Sequence, residues 1–246
     1  MLDLLHSWIA HGQKVREEKF RIEESGSEKV FKYGNVTYSK IKKGGLYTGE
    51  YWDYFIPIAY ISKAPRLLLI GLGGGTIAFQ LGALLQDAVS IDAVEISKRA
   101  VELSKDFLQG QRLNVNIGDG AEYLHSTNKK YDAIIVDAYA STRIPDQFLG
   151  EQFVEDAHGA LEPDGVLAVN YAVGLMGAQK LEEYALKLRR RFHAYSVRTA
   201  ITEGNVILLA SKSLGKAELV ERIGGRMPKT PEIEFLFRNY IEMKPL

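Results

Sequence analysis

The run Gly71-Leu72-Gly73-Gly74-Gly75-Thr76 constrains this chain more than any other stretch of it. It follows the apolar segment RLLLI (66–70) without a spacer and leads straight into the helix-forming text TIAFQLGALLQ. Glycines concentrated between a buried strand and a helix let the backbone take conformations that side chains oppose. They also leave the N-H groups of the helix start facing whatever lies beyond the strand end. Gly73-x-Gly75-x-x-Ala78 satisfies the dinucleotide-type spacing, so a nucleotide-like ligand is the leading expectation and a packing device the bland alternative.

Downstream of that turn, apolar runs alternate with segments of helical period. SIDAVEI, LNVNIGD, YDAIIVDAY and GVLAVNYA read as strands, and SKRAVELSKDFL, AEYLH and QFVEDAHGAL as helices. Continuous apolar strands separated by helices predict a parallel sheet covered on both faces. After a helix around Leu181 to Phe192, HAYSVRTA and NVILLAS are joined only through Glu203 and Gly204, a link so short that these two strands must be antiparallel. Upstream, Leu2 to Phe20 carries the pattern of one amphipathic helix. Lys29 to Ser39 reads as a β-hairpin about Gly34-Asn35, and Tyr47 to Ser62 is dense in aromatics before Pro65. The expected organisation is a helix and hairpin region over 1–62, then a seven-stranded Rossmann-like α/β domain over 63–246. The tail from Lys216 is expected to pack as one or two helices.

Two further residues stand where such a fold would place ligand groups. Glu95 ends the second strand about twenty residues past the glycines, the position from which a carboxylate accepts ribose hydroxyls. Asp119, within Gly118-Asp119-Gly120 at the end of the third strand, is suited to an adenine amino group, to a helix N-cap, or to both. A dinucleotide dehydrogenase would use the same glycines and Glu95. The later Gly-Asp-Gly and the antiparallel ending favour a sulfonium cofactor of the S-adenosylmethionine type, because a parallel sheet with that ending resembles the S-adenosylmethionine-dependent methyltransferase fold.

Composition narrows the classes. Thirty-one basic residues balance thirty-one acidic ones, so no overall field favours nucleic acid or an anionic membrane. The absence of cysteine removes disulfides and thiolate chemistry, and the scattered His6, His11, His125, His158 and His193 suggest no metal site. No Gly-Lys-Ser/Thr follows the glycine turn, and neither HExxH nor Gly-x-Ser-x-Gly occurs. The run Lys187, Arg189, Arg190, Arg191 follows Glu182 and Glu183, as expected of a solvated helix face. Without a basic, apolar leader or a spanning stretch, the expectation is a soluble, cytoplasmic protein.

Taken with Gly71 to Thr76, Glu95, Gly118 to Gly120, and YDAIIVDAY followed by Ile144-Pro145, the chain resembles the spermidine synthases, the polyamine aminopropyltransferases, over roughly Lys29 to Ser211. That resemblance implies decarboxylated S-adenosylmethionine as donor and a small amine or polyamine as acceptor. It implies no metal, and makes the N-terminal segment a candidate homodimer contact. Gly71, Gly73, Gly74, Gly75, Glu95, Asp119, Gly120 and Asp137 are then the cofactor-side candidates. Tyr51 matches the tyrosine of the family's Tyr-His-Glu, with Trp52 in place of the histidine and Asp53 approximating the glutamate. Of the family's Asp-x-x-Asp pair, Asp137 matches the first aspartate and Ala140 replaces the second, which the resemblance expects to take the proton. Asp137 and Tyr51 are therefore the catalytic candidates, and Asp146, Glu50 and Asp53 are the acids available as substitute bases. Ser97 stands where relatives often carry a second acid. The aromatics Tyr47, Tyr51, Trp52, Tyr54 and Phe55 suit core packing or a wall for a cation, with Tyr51 and Tyr139 the leading choices for the wall. Three functions stay open: aminopropyl transfer, methyl transfer from intact S-adenosylmethionine, and cofactor binding without catalysis.

Overall fold

The computed structural model describes residues 19–108, 111–140, 143–199 and 204–246. The helix expected over Leu2 to Phe20 lies almost wholly outside them, and its last residue, Phe20, opens a strand instead. Strands β1 (Phe20–Ser25), β2 (Glu28–Tyr33) and β3 (Val36–Lys42) form an antiparallel sheet in that order. β2 and β3 are the expected hairpin, with Tyr33 paired to Val36 across the Gly34-Asn35 turn. β1 was not legible because FRIEES offers only two apolar side chains among charges. Its stability comes from across the sheet, where Phe20 stacks on Phe31 with ring centroids 5.3 Å apart and Lys29 pairs with Glu24 at 3.3 Å.

The aromatic segment becomes a 3-10 helix over Tyr51–Ile61, buried along all of its length except at Tyr51. Its start is fixed by Asp53, which is 1% exposed. Asp53 Oδ1 accepts the Thr48 hydroxyl at 2.8 Å and Oδ2 the Gly49 N-H at 2.8 Å, and the Thr48 N-H and the Gln80 amide also donate to this carboxylate. A buried carboxylate needs such donors, since a buried polar group left unpaired is costly.

Beyond Pro65 come β4 (Arg66–Ile70), α1 (Thr76–Leu85), β5 (Ser90–Glu95), α2 (Lys98–Ser104), β6 (Leu113–Ile117), α3 (Gly120–Ser126), β7 (Tyr131–Val136), α4 (Glu151–Ala160) and β8 (Leu161–Ala172). They are followed by α5 (Val173–Met176), α6 (Ala178–Arg189), β9 (His193–Arg198), β10 (Asn205–Ser211), α7 (Lys216–Gly224), α8 (Pro231–Ile241) and β11 (Lys244–Pro245). Strands β4 to β8 are parallel neighbours, and β10 pairs antiparallel with both β8 and β9. Among the described residues the sheet order is β11-β9-β10-β8-β7-β4-β5-β6, so the expected seven strands are extended by the two-residue β11. Side chains alternate between its faces. Leu67 and Leu69 pack with the 3-10 helix, α1 and α8, while Leu68 and Ile70 pack with α4 and α6. The tail forms two helices, and α8 is tied back where the Tyr240 hydroxyl donates to the Tyr54 carbonyl.

From β4 the chain winds outward through β5 and β6, and from β7 outward the other way through β8, so the strand order switches between the parallel neighbours β4 and β7, the usual ligand position in an open α/β sheet. The small sheet is stapled over this position: the Lys40 N-H donates to Thr76 Oγ1 at 2.8 Å, and the Thr76 hydroxyl donates to the Lys40 carbonyl at 3.0 Å. Among the described residues no helix is long and apolar enough to cross a membrane.

Candidate active site

One cleft is lined by Tyr51, Gly71, Gly73, Glu95, Asp119, Gly120 and Asp137 together. At its floor the glycine turn is consumed by the protein itself. The Leu72 and Gly73 N-H groups both donate to Glu95 Oε2 at 3.0 Å. The Gly74 N-H donates to Ser39 Oγ at 2.8 Å and the Gly75 N-H to the Leu72 carbonyl at 2.8 Å. Four consecutive N-H groups that a pyrophosphate would need thus have partners within the protein, which counts against the dinucleotide reading of the motif. Gly71 is required for a different reason. Its φ is +89°, and a Cβ there would lie 2.5 Å from the Asp137 carbonyl oxygen, so only glycine lets the loop after β7 reach the turn. Gly74 and Gly75 do not line the cleft. A Cβ on Gly74 would stand 2.7 Å from Phe31 and Ser39, so its smallness admits the small sheet, while Gly75 backs onto Leu108.

Glu95 and Asp119 each do two jobs. Glu95 Oε1 also accepts the Ser97 N-H at 3.0 Å; burial pushes its carboxyl above the usual range, and these backbone donors oppose the shift. The Ile96 N-H donates as well, so the roughly four acceptor directions of the carboxylate all face backbone donors, and a hydroxyl in the cleft would share one of them. Asp119 Oδ1 caps α3 by accepting from Ala121 N at 2.8 Å and Glu122 N at 3.1 Å. Its Oδ2 accepts the Gln147 amide at 2.8 Å, a donor of the same kind as an adenine amino group. Ile96, Pro145 and Phe148 add apolar walls nearby. Ser97 is spent on capping α2, its hydroxyl oxygen accepting from Ala100 N at 2.9 Å.

At the centre sits Asp137, on the loop leaving β7. Its Oδ2 accepts the Tyr51 hydroxyl at 3.2 Å and its Oδ1 the Asn170 amide at 2.8 Å. Burial pushes this carboxyl up to about 7, against the hydrogen bonds from Asn170, Tyr51 and Trp52. Tyr51 is held well above its ordinary value by burial and by the Asp137 charge, so it stays a neutral donor. Tyr139 also lines the cleft, yet its hydroxyl is occupied. It donates to the Asn170 carbonyl and accepts the Ala172 N-H, both at 3.0 Å, taking the place of a neighbouring strand where β8 outruns β7.

None of the substitute acids lines the cleft. Asp53 is locked in its loop, Glu50 lies 3.7 Å from Lys40 Nζ, and Asp146 is exposed on a short 3-10 turn (Asp146–Leu149). Ala140 does line it, with no group to take a proton. Trp52, Tyr54 and Phe55 are core residues. The basic run lies on the surface and pairs with acids: Arg189 with Glu182, Arg190 with Glu151, and Arg191 with Glu155. Among the described residues no three His, Cys, Asp or Glu side chains gather as metal ligands would.

Sequence reasoning missed Asn170 and Asn205. Asn170 is a lone polar residue in the apolar run GVLAVNYA and is 1% exposed, and that interruption was the available signal. It also missed Phe20, Tyr33 and Tyr38, which the small sheet brings to the cleft as a cluster with Phe20 and Tyr33 centroids 4.9 Å apart.

Comparison with known proteins gives a consistent result. The family model for the spermine/spermidine synthase domain matches residues 56–214. A polyamine aminopropyltransferase from Chromobacterium violaceum is 31% identical over 178 residues, covering 69% of this chain and 67% of that protein. Among solved structures, a probable spermidine synthase from Corynebacterium glutamicum superposes with a TM-score of 0.70 at 17% identity, over 89% of this chain and 82% of that one. Human methyltransferase-like protein 13 in complex with SAH superposes with a TM-score of 0.59 at 23% identity, over 78% of this chain and 91% of that one. Both structures share the fold.

Proposed function

The chain belongs to the spermine/spermidine synthase family, and from that premise we propose that it transfers an aminopropyl group from decarboxylated S-adenosylmethionine to a small amine. The observation that carries this reading is the Asp137 and Tyr51 pair, held in the same cleft as Glu95 and Asp119. The donor supplies a sulfonium whose neighbouring methylene carbon is open to attack by a neutral amine, with methylthioadenosine leaving as the C-S bond breaks.

The protein's share is positioning and proton removal. Glu95 and Asp119 offer acceptors to ribose hydroxyls and an adenine amine, and Ile96 and Phe148 offer apolar faces to the base. Asp137, with a carboxyl near 7, is matched to accept a proton from an ammonium at neutral pH, since proton transfer works best when the acceptor's pKa lies near the working pH. Tyr51 and Asn170 orient it, one on each oxygen. Asp137 thereby takes the role that Ala140 cannot. The described lining carries three carboxylates and no lysine, arginine or histidine, which suits a dicationic donor better than intact S-adenosylmethionine with its own carboxylate.

Methyl transfer is the second reading, favoured by Ala140 in place of an acid, and binding without turnover is the third. Calorimetric titration with S-adenosylmethionine, its decarboxylated form and methylthioadenosine separates them, followed by turnover with putrescine or spermidine. The expected result is preference for the decarboxylated form together with turnover. Preference for the intact form moves the reading to methyl transfer, and failure of all three to bind overturns the site.

A further inference from the structure

Behind Asp137 runs a chain of amides that the proposed reaction does not itself require. Asn205, at the start of β10, donates through Nδ2 to Asn170 Oδ1 at 2.7 Å, and Asn170 donates through Nδ2 to Asp137 Oδ1 at 2.8 Å. An ionised carboxylate only accepts, so Asn170 must show it the NH2 face, and the opposite carbonyl face is then available to Asn205. Turned over, the same amide would present an oxygen to Asp137, which only a protonated carboxyl could satisfy. The orientation of one buried amide is therefore coupled to the proton on Asp137, and Asn205 touches the end of that amide farther from the carboxylate.

We propose that Asn205 is a positioning residue which, by donating to Asn170, fixes that amide with its NH2 toward Asp137 and so holds Asp137 as a carboxylate able to take a proton. This rests on the reading of Asp137 as the proton acceptor. Among the described residues, the titratable groups facing Asp137 are Tyr51 from the 3-10 helix and Tyr139 from its own loop. Both are phenols held above their ordinary value by burial and by Asp137 itself, so they stay neutral while it titrates. Trp52 and Asn170 complete its polar neighbours. Beside burial and the Tyr51 and Trp52 hydrogen bonds, the face that Asn170 presents is a further control on its charge. Asn205 lines the cleft and is half-buried, so it can be changed without opening the core.

The test is a titration of the Asp137 carboxyl by carbon NMR on protein labelled at aspartate, with Asp137→Asn used to assign the signal. Wild type is compared with Asn205→Ala, Asn205→Asp and Asn205→Gln. Loss of the donor in Asn205→Ala is expected to raise the midpoint so that the ionised fraction relative to the protonated one falls about tenfold at a given pH. Asn205→Asp, an acceptor, is expected to raise it at least as far, and Asn205→Gln, which keeps a donor, to stay closer to wild type than Asn205→Ala does. The acid limb of kcat/KM is expected to move with the midpoint while the Kd of neutral methylthioadenosine stays put. A midpoint in Asn205→Ala equal to that of wild type, or Asn205→Gln shifting as far as Asn205→Ala, overturns the proposal. Absence of turnover in wild type would instead sink the aminopropyl reading, and the carboxyl titration would still decide this one.

Discussion

Glu95 has four backbone donors on its two oxygens, from Leu72, Gly73, Ile96 and Ser97, and Asp119 has two backbone donors and one amide on its own. Each is already rigid before a ligand arrives, so ordering it costs little on binding. Hydrogen bonds to charged groups contribute about 1.5–3 kcal/mol. Glu95→Ala and Asp119→Ala should therefore each weaken methylthioadenosine binding about tenfold or more by calorimetry, and unchanged affinity in both would refute the site. Asp137 gives a pH prediction with a definite sign. If it accepts the proton, kcat/KM should climb as pH rises through about 7, and Asp137→Asn should lower turnover by about 10²–10⁴ while leaving the binding of neutral methylthioadenosine close to wild type. The same raised carboxyl burdens the fold. The native state holds a proton that the unfolded chain has lost between about pH 4 and 7, so stability falls as pH rises through that window and levels off above it. Asp137→Asn lacks this titration. Its stability relative to wild type should grow by about 2 kcal/mol between pH 5 and 8, measured by denaturant melts at both.

The 3-10 helix carries Tyr51 to Asp137 and owes its position to Asp53. Removing that carboxylate strands the Gly49 N-H and three buried donors, the Thr48 N-H and hydroxyl and the Gln80 amide. Asp53→Ala should cost about 3–5 kcal/mol, since each buried donor left unpaired costs about 1–3 kcal/mol, and should lower the melting temperature without any direct contact to ligand. The sequence marked Asp53 as a spare base; its neighbours make it a keystone of the loop instead. This segment was hard to read because YWDYFIPIAYI is apolar on every side, and a stretch buried all round has no amphipathic period. The β2-β3 hairpin was legible for the opposite reason, since Gly34-Asn35 between aromatic and β-branched runs signals a turn from residues that are adjacent in sequence. β1 depends on cross-strand partners, which no local pattern announces.

At the scale of the molecule, balanced net charge conceals a locally acidic cleft. Three carboxylates line it, and Lys, Arg and His are missing from its described lining. Affinity for dicationic decarboxylated S-adenosylmethionine should therefore fall with rising ionic strength more steeply than affinity for neutral methylthioadenosine, since salt screens only the charged attraction. Parallel slopes in titrations at low and high salt would contradict this. The cleft exists because the strand order switches between the parallel neighbours β4 and β7 and because β3 is pinned to Thr76 across 36 residues of chain. By itself the sequence determined the alternation of strands and helices, the glycine turn after β4, the antiparallel ending, and the positions of Glu95, Asp119 and Asp137 at strand ends. These follow from periodicity and from residues next to one another in the chain. Only the tertiary structure decided that the turn's N-H groups face inward to Glu95 and Ser39, that Tyr51 reaches Asp137 across 86 residues, and that Asn170 and Asn205 line up behind it. Each depends on which strands lie side by side and in what register, and a side chain's period along its own strand carries no information about that.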